Sequence, residues 1–169
     1  MLKKKKRKSK KRLLNNKVVV ICHNIRSAFN VGSIFRTADA AGVDKIILGG
    51  YSAHPPHPKL LKVSLGAEEA VAHEKSGQVW RQLDLLKKQG YQILALEKTG
   101  KAKNIFKFKA KKPFVLILGN EKRGLSLEIL KRCDEVLAIP MSGQKESLNV
   151  SVAFGVAIYQ LLNSKTVKK

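Results

Sequence analysis

The chain has 169 residues and a mass of 18.8 kDa, with 44% hydrophobic residues, so one globular domain is the default and a disordered polymer is excluded. No apolar run approaches the roughly 20 residues that a transmembrane helix needs. Lysine and arginine number 34 against 12 acidic residues, a formal net charge of +22, which favours a polyanionic partner: nucleic acid first, an anionic membrane surface second.

Residues 3–12 hold nine basic side chains and no acid, yet the rest of the chain still carries 25 basic against 12 acidic residues. The basicity therefore belongs to the body as well as to the arm. Residues 1–12 read as a basic arm, disordered without a partner, with the composition of a nucleic-acid tether or a nuclear localisation signal. Residues 13–169 read as a single domain. The two cysteines, Cys22 and Cys133, form no CxxC pair, so neither a zinc cluster nor a disulfide framework is expected. No apolar signal segment follows Met1, and the expected setting is reducing and cytoplasmic.

Along the body, five short runs rich in Val, Ile and Leu read as strands: 18–22, 45–50, 91–96, 114–119 and 135–141. Each is continuous rather than alternating, as in a parallel sheet covered on both faces. Three helices lie between or after them. Residues 30–42 place Val31, Ile34, Phe35, Ala38 and Ala41 on one stripe, with Gly42 as the stop. Residues 76–90 place Val79, Leu83 and Leu86 on one face, with Ser76 as a cap and Gly90 as the stop. Residues 147–163 are apolar nearly all round, which fits a helix that is wholly buried, or one buried by the core on one side and by a partner chain on the other. Strands alternating with helices make an α/β domain. Residues 52–62 read as a Pro/His loop and 98–112 as a basic loop.

Cofactor signatures are mostly absent. There is no GxGxxG, and in residues 119–126 Leu125 stands where a P-loop needs its lysine. His54 and His57 offer two metal ligands without a third, so no metal site is expected. Three other segments sit at predicted strand ends, where open α/β sheets bind ligands. In the first, Asn30 falls at a helix start, as a plain cap or a site residue. Arg36 is a helical cation four residues from Gly32, whose missing side chain leaves room for a phosphate; a solvated surface charge is the other reading. In the second, Glu121 follows a buried strand, and Ser126 caps a short helix after Gly124. In the third, Ile139, Pro140 and Met141 leave the last strand, and Ser147 and Asn149 open the final helix, with free backbone groups beside apolar side chains that suit an adenine.

Together, Asn30-Val-Gly-Ser-Ile-Phe-Arg36, Gly119-Asn-Glu121 with Gly124-Leu-Ser126, and Ile139-Pro-Met141 with Ser147-Leu-Asn149 resemble the three signature motifs of the SPOUT superfamily, and within it the TrmH/SpoU family of RNA ribose 2′-O-methyltransferases. The resemblance covers about residues 17–163. It implies a Rossmann-like parallel sheet with a deep C-terminal trefoil knot, S-adenosylmethionine as methyl donor, an RNA substrate (tRNA ahead of rRNA) and a homodimer. It implies a catalytic set of Asn30, Arg36, Glu121, Ser147 and Asn149. It implies a donor pocket of Leu118, Gly119, Ile139, Met141, Ser147, Leu148 and Asn149. Arg36 is the family's proposed proton acceptor, but a guanidinium is a poor base and is better suited to clamping phosphate and stabilising a developing alkoxide. The terminal segments depart from larger family members, which leaves the RNA target open. A non-catalytic RNA-binding protein on the same fold is the competing expectation, and a membrane-surface protein a weaker one. Phe106 and Phe108 offer base stacking or, more in keeping with phenylalanine, core packing.

Overall fold

The computed structural model describes residues 17–110 and 113–163; the arm expected at 1–12 lies outside them. Among the described residues seven strands are formed: β1 (Val18–His23), β2 (Lys45–Gly49), β3 (Ala72–Ser76), β4 (Gln92–Leu96), β5 (Lys103–Asn104), β6 (Phe114–Leu118) and β7 (Glu135–Ala138). They pair parallel throughout, in the order β3-β2-β1-β6-β4-β7-β5. The helices among the described residues are α1 (Ala28–Ala41), α2 (Pro58–Ser64), α3 (Ala67–Ala70), α4 (Val79–Lys88), α5 (Leu127–Leu130) and α6 (Val150–Asn163).

The continuous apolar strands are covered on both faces, as their pattern requires. Val18, Val20 and Cys22 of β1 point with Leu116 and Leu118 of β6 toward α1 and α6, where Ile34, Phe35, Phe154 and Ile158 meet them. Val19 and Ile21 point the other way with Val115 and Ile117, toward Val79 and Leu83 of α4 and Ile129 of α5. Side chains alternate across a strand, so each strand serves two cores. All the side chains of β6 and the first five of β1 are buried, which places this pair at the centre of the molecule.

Several local expectations need correction. α1 begins two residues before Asn30: Ser27 is its cap, with Ser27 Oγ accepting from the Asn30 N–H at 3.3 Å, so Asn30 is not the capping residue. Its end at Gly42 is as expected, with φ of 74°. The 52–62 loop is partly helical, because Pro58 occupies the first turn of α2, where its missing N–H costs nothing. Gly32 leaves no gap beside Arg36. Its face is covered by α2: an added Cβ would fall on the Leu60 carbonyl oxygen and within 3.1 Å of Val63 Cβ. Ser147 does not begin the last helix, which starts at Val150. Strand β3 escaped the sequence reading because Ala-His-Glu-Lys-Ser is polar and lies on the sheet edge, half outside the core. The basic stretch is not wholly loop, since it contributes β5 and the 3₁₀ turn Ile105–Lys107. Phe108 packs against the core, whereas Phe106 is exposed.

Candidate active site

The sheet order reverses around β1 and β6: the chain winds outward from β1 to β3, then returns on the other side through β4, β6 and β7. Loops leaving the C-terminal ends of such strands diverge and open a crevice. A cleft of about 510 Å³ lies there, within the size range of small-molecule sites. Its walls come from the ends of β4, β6 and β7 and the start of α6. Leu118, Gly119, Ile139, Met141, Ser147, Leu148 and Asn149, all expected to form one pocket, line this one cleft, as does Glu121.

At the mouth a hydrogen-bonded chain joins the three motif segments. Asn149 Nδ2 donates to Asn30 Oδ1 at 3.1 Å. Asn30 Nδ2 donates to Glu121 Oε1 at 3.0 Å. The Glu121 carboxylate also accepts from the backbone N–H groups of Arg26, at 2.8 Å, and Ser27, at 3.0 Å. It thus satisfies donors just ahead of α1 from a loop almost a hundred residues away, with its charge at the positive end of that helix. Burial pushes the carboxyl up, but these bonds outweigh it and hold the group below the ordinary carboxylate range. Asn149 Oδ1 is in turn held by Ser151, which donates through its N–H at 2.9 Å and its Oγ at 2.7 Å.

Arg36 stands apart. It is exposed two turns along α1 from Asn30 and does not line the cleft. It shares a stripe of α1 with Phe29, seven residues earlier, whose ring is also exposed. Ser147 lines the cleft on the exposed segment between β7 and α6.

Three further residues shape the site and were not singled out from sequence. Glu97, at the end of β4, accepts from Leu125 N–H at 2.8 Å and from Lys98 N–H at 3.1 Å. Gly124 makes room for it: a Cβ there would collide with the carboxylate, and its φ is 65°. Asn120 satisfies all four of its side-chain valences. Its Oδ1 accepts from Lys122 and Arg123 N–H at 3.0 and 2.8 Å, and its Nδ2 donates to the Asn24 carbonyl and the Tyr51 hydroxyl at 2.9 and 2.8 Å. Buried Ser52 fixes the loop after β1, accepting from Ile25 N–H at 2.8 Å and donating to the Cys22 carbonyl at 2.9 Å. The Gly-Asn-Glu run at a strand end marks Asn120; nothing local marks Glu97 or Ser52.

Residues 17–159 match the family model described as the SpoU rRNA Methylase family. A tRNA (guanosine(18)-2′-O)-methyltransferase of Aquifex aeolicus is 34% identical over 151 residues, covering 89% of this chain and 71% of the relative. The SpoU methyltransferase AviRb of Streptomyces viridochromogenes, solved in complex with the cofactor AdoMet, superposes with a TM-score of 0.80 at 27% identity, covering 91% of this chain and 60% of that one. A structure described by the 2-OH methylation of C/U34 on tRNA superposes with a TM-score of 0.79 at 28% identity, covering 88% of this chain and 96% of the other. Most curated relatives are longer, and this chain spans between 38% and 71% of their lengths. With the family match running over nearly all the described residues and the three motif segments meeting in one cleft, the chain belongs to the SpoU rRNA methylase family.

Proposed function

We propose that this protein transfers a methyl group from S-adenosylmethionine to a ribose 2′-hydroxyl of structured RNA, with tRNA preferred over rRNA. The observation that carries the reading is the chain from Asn149 through Asn30 to Glu121, set at the mouth of a cleft of cofactor size. The preference for tRNA rests on the relative named for guanosine-18 of tRNA and on the neighbour described by methylation of C/U34 on tRNA, 96% of whose chain this one covers.

The cleft suits the donor chemically. Leu118, Ile139, Met141 and Leu148 offer apolar contact, and the backbone of Gly119 and Ile139 lies in the same lining, where a purine edge seeks hydrogen bonds. Three glutamates, Glu97, Glu121 and Glu146, line the same cleft against two lysines, Lys98 and Lys122, with Lys98 paired to Glu146 at 3.7 Å, so a ligand carrying positive charge is tolerated there. Bound there, S-adenosylmethionine supplies an activated methyl group, whose C–S bond breaks as the C–O bond to the ribose forms, the hydroxyl proton ending in solvent.

The residues of the chain then divide the work. Asn149 and Asn30 fix the position of the incoming ribose, because each amide is already oriented by its neighbour. Glu121 already accepts three hydrogen bonds that hold its charged form, so it orders Asn30 and the start of α1 and is a poor acceptor for the proton. Arg36 clamps a backbone phosphate and stabilises the developing alkoxide. Its place outside the cleft fits a homodimer in which it completes the partner's site. Exposed Phe29, Val152 and Tyr159 on α1 and α6 offer the apolar face for that pairing. The trefoil knot belongs to the same reading. It is supported by a strand order that inserts β6 between β1 and β4, and by segments 119–124 and 146–150 lining one cleft.

The test is incorporation of labelled methyl from S-adenosylmethionine into unmodified tRNA and rRNA, followed by nucleoside analysis. Label in a 2′-O-methylnucleoside of tRNA is the expected result. Label in rRNA alone would overturn the tRNA preference. No label in either RNA, together with no donor binding, would overturn the enzymatic reading.

A further inference from the structure

Tyr51 follows the turn after β2 and has 62% of its surface exposed. An exposed ring of that size is ordinarily free to swing. This one is held at both ends. Its hydroxyl accepts from Asn120 Nδ2 at 2.8 Å, and its backbone N–H donates to Asn24 Oδ1 at 3.3 Å. Both anchors are themselves constrained. Asn120 has no unused valence, and Asn24 sits at a φ of 58°, in the left-handed region that asparagine tolerates. Gly50 permits the close approach, since a Cβ there would collide with the Asn24 side chain. Three loops, after β1, β2 and β6, therefore cooperate to hold one aromatic ring out in solvent.

The position of the ring is informative. Asn120 lines the cleft and precedes Glu121, so the tether of the ring and the hub of the amide chain are adjacent residues. The same loops carry Arg26, Lys122 and Arg123, all exposed, and the backbone N–H groups of the last two bond to Asn120. An immobilised ring among cations at the edge of a cleft has the composition of a base-stacking platform. Stacking on a ring already fixed avoids the entropy of ordering it. Core packing does not explain the ring, since most of it faces solvent.

We propose that Tyr51 stacks a nucleobase of the substrate RNA beside the methylated ribose, with Asn120 holding the ring by its hydroxyl and Asn24 holding the backbone that carries it. The proposal rests on the RNA-methylating reading and adds the contact that grips the base.

The experiment compares the full chain with its Tyr51→Ala, Tyr51→Phe and Tyr51→Trp variants on a transcribed, unmodified tRNA. KM for RNA, KM for donor and RNA affinity without donor are measured in parallel across a salt series. Tyr51→Ala is expected to weaken RNA binding by roughly tenfold, the scale of one lost base stack. Its donor KM and the slope of affinity against salt should stay at parental values, because a stack displaces no phosphate counterion. Tyr51→Trp and Tyr51→Phe both keep an aromatic face and lose the hydroxyl tether, so each should retain most of the parental binding, with the larger indole stacking the better of the two. Lys122→Ala should do the reverse, lowering the salt slope by about one contact. Parental RNA affinity in Tyr51→Ala would overturn the proposal. So would a loss of donor binding or a change of sedimentation in that variant, since the ring would then serve the cleft or a subunit contact. A parent that binds RNA, weakens on Tyr51→Ala and yet transfers no methyl would sink the methyl-transfer reading while leaving the platform in place.

Discussion

Asn149 and Asn30, 119 residues apart in sequence, meet side chain to side chain at 3.1 Å. The contact is directional. Asn30 Nδ2 is committed to Glu121, so its Oδ1 must face Asn149 Nδ2. Asn149 Oδ1 is committed to Ser151, which turns its Nδ2 toward Asn30. Each amide thus has one possible orientation, and the start of α6 is registered against the start of α1.

Asn30→Ala breaks this relay at its centre while leaving the cleft walls intact. The expected outcome is a fall in kcat of about 100-fold, the scale of a misplaced reacting group. Donor affinity should change little. Isothermal titration for the donor and single-turnover kinetics on tRNA separate the two quantities.

Glu121 links the site to acid stability. Its folded carboxyl titrates below the ordinary range, because the hydrogen bonds from Arg26, Ser27 and Asn30 outweigh the opposing effect of burial. The stability it contributes is therefore complete above the unfolded carboxylate value of about 4.3 and is lost as pH falls through the lower folded value. Glu121→Gln removes that dependence. Urea midpoints for parent and variant should differ at neutral pH and converge in acid, and parallel curves would contradict this account.

Gly119 has no room for a side chain. A Cβ there would lie 2.7 Å from the Gly124 carbonyl carbon and 2.8 Å from Leu125 N. The obstacle is backbone, which Glu97 holds in place through Leu125 N–H. Gly119→Ala should therefore destabilise the fold by roughly 1–3 kcal/mol, as overpacking does. It should also move the loop that carries Glu121, so donor affinity should fall with it. Thermal denaturation with and without donor reads both effects.

Much of this site was legible because its chemistry sits in short runs. Apolar strands such as 114–118 declare a doubly covered sheet, and Gly-Asn-Glu or Ser-Leu-Asn at their ends declare a site. What escaped was set by distant partners. Gly32 reads locally as a gap, but α2 fills it. Asn30 reads as a cap, but Ser27 takes that role and frees its amide for Glu121. Glu97 looks like any charged residue after a strand until Leu125 N–H is brought to it across β6. Strand order, which creates all these meetings, leaves no mark on any single segment.

Arg36 does not line the cleft of its own chain, so its loss should fall on RNA binding and catalysis and spare the donor. Arg36→Ala should lower kcat by two to three orders of magnitude, comparable to losing a donor to a developing oxyanion. Donor binding should remain parental. Arg36→Lys should recover little, because lysine lacks the two-pronged geometry that grips phosphate. Recovery by lysine would show that charge alone suffices.

The apolar face of α6 supplies the remaining test. Val152 is 53% exposed and Tyr159, seven residues on, is 47% exposed, so both lie on one stripe; Phe29 on neighbouring α1 is 45% exposed. Three large apolar side chains on two packed helices leave a surface that water covers poorly. Arg36 lies on the same α1 stripe as Phe29. Burying this face against a second copy would therefore carry Arg36 toward that copy. Val152→Asp places a charge at the centre of the face without touching the cleft. Sedimentation velocity should show a dimer for the parent and a monomer for the variant. Donor binding should survive in the monomer and methyl transfer should not. Mixing inactive Arg36→Ala with inactive Asn30→Ala chains then discriminates further. If Arg36 completes the partner's site, mixed dimers regain one intact site and activity returns to a fraction of the parental rate. If each chain uses its own arginine, the mixture stays inactive.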